Sequence, residues 1–264
     1  MAKQFYQIPA TVAALPRPVD HRRYLPASAA FGWLAAGWRD MWTKPGASLI
    51  YGLGVAALSA LMVAAMVLLG WEQVLFPALS GFLVVGPFLA TGLYEKSRRL
   101  AAGEPVGLHA MLWPGRGAGQ LFFVGAILMT LMLVWMRAAV LLYALFFGWR
   151  PFPGFEDVVA MLFATPMGLA MLVTGTAIGG LFAAFAFAIS TFSIPMLLDR
   201  EIDAFTAMGT SMSLVWNNLP ALFVWGAIVL ALTLLSLATG LLGLIIVFPL
   251  LGHASWHAYA AVRE

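Results

Sequence analysis

Long stretches without a charged residue organise this chain. Gly46–Trp71, Gln73–Tyr94 and Gly117–Met136 contain no Asp, Glu, Lys or Arg, and the third continues apolar past Arg137 to Trp149. Val158–Leu198 is a 41-residue run of the same kind, and Leu219–Val262 is another. A helix needs about 20 apolar residues to cross the hydrocarbon of a bilayer. The last run therefore holds two spans, which divide at "TGLLG" (239–243). In the 41-residue run Pro166 follows Thr165, which disturbs a helix there. Residues 155–165 read as a short helix at the surface and 167–194 as one long span. The pattern predicts an all-α polytopic membrane protein with six spans, near 46–70, 74–94, 118–148, 167–194, 219–239 and 241–260. They form one membrane domain over 28–264, behind a partly disordered tail at 1–27.

Two shorter segments carry a helical stripe. Phe31, Leu34, Trp38, Met41 and Trp42 stand at offsets 0, 3, 7, 10 and 11, and Phe205, Met208, Met212, Val215 and Trp216 repeat those offsets. Such spacing returns to one helical face. Each stripe ends at a Trp, then a polar pair (Thr43-Lys44, Asn217-Asn218), then a Pro and a span. These are expected to be amphipathic helices lying on the cytoplasmic surface. "LHAMLWPGRG" (108–117) shares the Trp-then-Pro exit. The even-numbered spans each carry a Pro near one end: Pro87, Pro195 and Pro249. The unit of surface helix, span in and span out then occurs three times, an internal repeat in constant orientation.

Composition strengthens the membrane reading. The chain is 62% hydrophobic and 9% charged, against about a quarter charged in soluble domains, and its mean hydropathy is +0.94. It has no cysteine, hence no disulfide or thiolate chemistry. Residues 1–30 hold Pro9, Pro16, Pro18 and Pro26 and no long apolar core, unlike a signal peptide. With six spans, Lys3, Arg17, Arg22, Arg23, Arg39, Lys44, Lys96, Arg98, Arg99, Arg116, Arg200 and Arg263 share one side, 12 of the 14 basic residues. The positive-inside rule makes that side cytoplasmic and places both termini there. Basic residues spread along a membrane edge suit anionic lipid and argue against nucleic acid.

Candidate chemistry is sparse. Ser211 falls on a surface helix rather than beside His253, and "GAS" (46–48) has no base nearby in sequence, so serine catalysis is not expected. Asp199, Glu201 and Asp203 read as a helix start, where acids suit the dipole. Arg137 lies inside the third span, where a charge is costly. It has three readings: an ion pair with Glu72, Glu156 or Asp157, snorkelling to the interface, or a ligand or ion site. Gly175 and Gly179 form a GxxxG pair that permits close helix contact. Trp71, Trp149, Tyr94 and Trp256 read as an interface belt. His253 and His257 are one turn apart and can hold a metal or haem, with His21 and His109 on the same side as possible further ligands. The plainer reading is that His253 packs behind Gly252 and bonds a neighbouring helix's carbonyl. No phosphate loop or dinucleotide fingerprint occurs.

Six spans, a basic tail, "AGWRDMW" (36–42) and "FPLLGHASWHAY" (248–259) together resemble a bacterial family of inner-membrane proteins catalogued as domain of unknown function 2189. The resemblance runs over about 25–262 and is most specific at the ending. It implies the fold and the bacterial inner membrane but no activity. The expectation is a non-enzymatic protein with an accessory, assembly or interaction role, partnered by the bilayer and by another membrane complex. The alternatives are a carrier or binder of a small apolar or lipidic compound with Arg137 facing its cavity, and a haem or metal protein. No cofactor is expected on the first two readings.

Overall fold

A computed structural model describes residues 20–113, 117–148 and 153–263. Most of the tail (1–19), Arg116, Trp149 and Arg150 lie outside the described residues, as do the side chains of Glu72 and Glu156. Twelve α-helices and no strands occur among the described residues. They are α1 (Ala29–Trp42), α2 (Pro45–Leu68), α3 (Leu75–Leu89), α4 (Thr91–Ala101), α5 (Leu108–Leu112), α6 (Ala118–Phe147), α7 (Phe155–Ala164), α8 (Pro166–Ser190), α9 (Ser193–Asp199), α10 (Ala204–Asn217), α11 (Leu219–Ala238) and α12 (Leu244–Arg263). Six units among them are long and apolar enough to cross a membrane: α2, α3 with α4, α6, α8 with α9, α11, and α12.

Proline and capping chemistry set the boundaries. Pro45 and Pro166 open α2 and α8 at positions where the missing N–H costs nothing. Thr165 is extended, and its hydroxyl accepts from the Gly168 amide at 2.9 Å, a side-chain cap that separates α7 from α8. Pro87 precedes the break between α3 and α4 at Ala90. Pro195 sits just past the break between α8 and α9, where it leaves the Thr191 carbonyl without a helical donor. Pro249 is tolerated inside α12.

Alternating crossings gather α1, α4, α5, α9, α10 and the last residues of α12 at one end of the bundle. This is termed the basic end, because Arg23, Lys44, Lys96, Arg98, Arg99, Arg200 and Arg263 stand there. α12 is the hub: it packs on α1, α2, α4 and α11. Two glycines let it come close. A methyl group on Gly37 would lie 2.5 Å from the Ala254 backbone nitrogen, and one on Gly52 would run into the Ile245 carbonyl. A second group, α3, α6 and α8, packs side by side and carries α7 across its far end. Outward-facing Leu61, Val173, Leu181 and Phe223 are exposed, the surface expected against hydrocarbon.

The stripes of α1 and α10 divide. Phe31, Trp38 and Trp42 are exposed on α1, and Phe205, Met212 and Trp216 on α10, the same three offsets in each. Met41, Met208 and Val215 turn inward. The inner face of α1 is completed by Ala30, Trp33 and Gly37, and Trp33 meets Trp225 of α11 edge-on at 6.0 Å.

Candidate functional site

Two places gather polar or open features. The first is a buried polar cluster at the basic end, built from four helices. α12 contributes His253 and His257, α4 Lys96 and Ser97, α2 Ser48, and α1 Asp40. His253 is fully buried with a serine hydroxyl at each ring nitrogen: Ser48 Oγ at 2.8 Å from Nε2 and Ser97 Oγ at 2.8 Å from Nδ1. Lys96 is fully buried as well, and its ammonium donates to Ser48 Oγ at 2.7 Å and to the Lys44 carbonyl at 3.2 Å. Lys44 is the elbow between α1 and α2 and holds a left-handed backbone (φ 55°). One turn along α12, His257 Nε2 lies 2.9 Å from Asp40 Oδ2. Burial pushes the Asp40 carboxyl up, but hydrogen bonding by His257 and Ser97 and the charge of His257 and His253 outweigh it. The group is held below its ordinary value of 3.8.

The same end is tied by ionic contacts. Glu95 is buried on α4 and takes Arg98 at 2.7 Å and Arg99 at 2.6 Å. Asp199, at the end of α9, accepts from the Tyr259 hydroxyl at 2.8 Å and from Arg263 at 3.1 Å.

Several sequence expectations change here. His253 bonds two hydroxyls rather than a carbonyl. Its two ring nitrogens and Nε2 of His257 face separate partners, and no group of three or more metal-ligating side chains occurs among the described residues. His21 bonds Ser213 at 2.6 Å, away from both. Asp199 fastens the end of α12 instead of starting a helix; Asp203 alone caps α10, accepting from the Thr206 amide at 2.9 Å. Tyr94 and Trp256 are core residues, not a belt, whereas Trp71 is exposed. Ser48 does have a base beside it, His253, and the Lys96 ammonium on its other side, brought from positions 205 and 48 residues away. It is fully buried. Lys96 and Ser48 escaped sequence reasoning. A lysine beside Glu95 and two arginines looks like one more edge charge, and only the helical phase of α4 turns it inward.

The second place is a cavity of about 930 Å³ between α3, α6, α7 and α8, with Leu230 of α11 at its edge. Its lining is mostly apolar, including Phe76, Val84, Leu142, Met161, Leu172 and Phe182, with Gly175, Gly179 and Gly180 along α8. Few polar groups face it: Gln73, Ser80, Thr176, Tyr143 and the Trp135 indole. Trp135 Nε1 donates to Ser80 Oγ at 2.8 Å and to the Pro77 carbonyl at 3.2 Å, which fixes the ring across the cavity wall. A methyl on Gly179 would meet the Trp135 ring at 2.8 Å, whereas one on Gly175 would meet nothing within 4 Å. The GxxxG pair thus seats an indole at one glycine and leaves open space at the other. Arg137 does not line the cavity. It is exposed on α6, and no ion pair joins it to Asp157 or to any other acid whose side chain is described; Glu72 and Glu156 are not among these.

Residues 75–199 match the model of a family described as "Predicted integral membrane protein (DUF2189)". The match holds α3 to α9, hence all of the cavity lining except Gly70, Gln73 and Leu230, and Lys96 and Ser97 of the cluster. It stops before the ending 248–259, where sequence resemblance had looked most specific. Neither the curated proteins nor the solved structures contain a significant match.

Proposed function

We propose, for a chain that carries the DUF2189 segment of integral membrane proteins over residues 75–199, a non-catalytic role: binding a lipidic or small apolar compound within the membrane. The observation that carries this reading is the cavity. Its volume of about 930 Å³ lies at the upper end of ligand pockets. Its lining is apolar with a few polar groups, the make-up of a site that takes a hydrocarbon body and a small polar head. Gln73 and Tyr143 stand toward the end closed by α7, so the polar head is placed there and the tail toward Val84 and Ala183. The position of Arg137 outside the lining removes a charge requirement on the ligand.

The location belongs to the same proposal. The basic residues of one end support a bacterial inner membrane with both termini in the cytoplasm. The exposed Phe31, Trp38, Trp42 and Phe205, Met212, Trp216 support α1 and α10 as amphipathic helices resting on that leaflet. A surface helix before each odd-numbered span (α1, α5, α10) supports the threefold repeat.

Gly175→Leu tests the binding reading. The side chain enters open space and replaces glycine by a better helix former, so the fold is kept. Native mass spectrometry of the purified protein is expected to show a bound lipid-sized adduct whose occupancy falls about tenfold in the variant, a loss of roughly 1.4 kcal/mol of binding. Equal adducts in both proteins would overturn the proposal. Co-purification with a larger complex, without an adduct, would return the accessory or assembly role.

A further inference from the structure

α1 and α10 present the same outer stripe and differ in what flanks it. Phe31, Trp38 and Trp42 are exposed on α1, and Phe205, Met212 and Trp216 at the matching offsets of α10. Counted from Phe31, Arg39 stands at offset 8 and Lys44 at offset 13; counted from Phe205, the same offsets hold Ser213 and Asn218. Arg39 and Lys44 are exposed, and neither makes an ion pair with any described residue. Lys44 is held by its backbone. The elbow is left-handed (φ 55°), and its carbonyl accepts from the buried Lys96, so the exposed Lys44 ammonium is left free.

Ser213 and Asn218 are occupied instead. His21 Nδ1 lies 2.6 Å from Ser213 Oγ. The Asn218 side-chain amide donates to the His21 carbonyl at 2.8 Å, and its oxygen accepts from the Arg23 backbone N–H at 2.8 Å. The flank of α10 therefore seats the chain's own entry segment, where the flank of α1 carries two free cations. The acids differ as well. Glu201 and Asp203 are exposed ahead of α10, whereas the acid of α1, Asp40, is engaged by His257. Trp38 and Trp42 stand edge-on at 5.6 Å, a pair of the residue type that settles at headgroup level, and α10 has Met212 in place of the first.

We infer that the outer face of α1, Trp38 and Trp42 with Arg39 and Lys44 beside them, binds the phosphate headgroup of an anionic phospholipid, and that α10, built on the same stripe, does not. Indoles supply the apolar body of the contact, and the two cations match the charge of the phosphate. The inference rests on the reading of α1 and α10 as helices lying on the leaflet; it is independent of the cavity.

Photolabelling of the full-length protein in nanodiscs tests it. The bilayer is an equal mixture of phosphatidylcholine and phosphatidylglycerol, and a trace of one lipid or the other carries the same photoreactive group close to its glycerol. Peptide mass spectrometry compares α1 with α10 in the same molecule. In the wild type α1 is expected to take about tenfold more label from phosphatidylglycerol than from phosphatidylcholine, and α10 to show no such preference. Arg39→Gln and Lys44→Gln should each lower the ratio at α1 about fivefold, the factor that corresponds to about 1 kcal/mol for a basic residue near an anionic surface. Raised salt should lower it too, since both charges are exposed. Arg22→Gln, which removes an exposed charge from the entry segment, should leave α1 unchanged. Equal label from both lipids on α1, or a preference that survives in the double variant, would overturn the inference and leave the leaflet reading in place. No label on α1 from either lipid would overturn both.

Discussion

Asp40 shows how a single side chain at the basic end responds to its neighbours. Its carboxyl is held below 3.8, so the stabilisation it brings is present above that value and is lost as pH falls through the depressed one. Asp40→Asn is expected to lower the melting temperature in detergent at neutral pH by the equivalent of about 1 kcal/mol, the low end for a charge-assisted hydrogen bond because the site is part-exposed. The difference should close below pH 3.8. A difference that persists in acid would mean that shape, not charge, matters at this position. At this scale little was legible in sequence. Arg39 and Asp40 read as a polar face, and nothing in their spacing announced His257, 217 residues further on. The pairing depends on the crossing of α1 and α12, which is a tertiary fact. The histidine spacing was plain by contrast, since i and i+4 on one helix fixes which face they share, but not whether that face meets metal or hydroxyls.

Among elements, the close crossing of α1 over α12 decides whether the cluster forms. Gly37 lies against the Ala254 backbone with no room for a methyl. Gly37→Ala is therefore expected to force the helices apart and to cost about 1–3 kcal/mol, the range for overpacking a tight contact. Thermal unfolding in detergent reads the loss, and a neutral result would show that α1 is not clamped there. Prolines made the helix boundaries readable. Thr165-Pro166 separated a short helix from a long span because a proline N1 and a threonine cap are local features. The inward turn of Met41, Met208 and Val215 was not readable, because a stripe on a membrane-edge helix has two apolar surroundings, lipid and protein, and hydrophobicity does not tell them apart. Tyr94 and Trp256 were misplaced for the same reason: aromatic residues near span ends suit an interface and a core equally.

For the whole molecule, six long apolar segments and few charges were enough to give an all-helical protein with six membrane-length helices. The cavity was beyond reach, because it is a gap between helices and leaves no residue pattern of its own. Its only trace was the run of glycines on α8, which read as a contact motif. The central claim is that α3, α6, α7 and α8 hold a lipid-like tail between them. A photoreactive fatty acid, added to delipidated protein at one equivalent in detergent and mapped by peptide mass spectrometry, tests it most directly. The account predicts crosslinks concentrated on the cavity segments 135–143 and 171–183 at inward positions such as Leu142 and Leu172, and lost in Gly175→Leu. Crosslinks spread evenly over outward residues such as Leu61, Val173 and Phe223, unchanged in the variant, would contradict it.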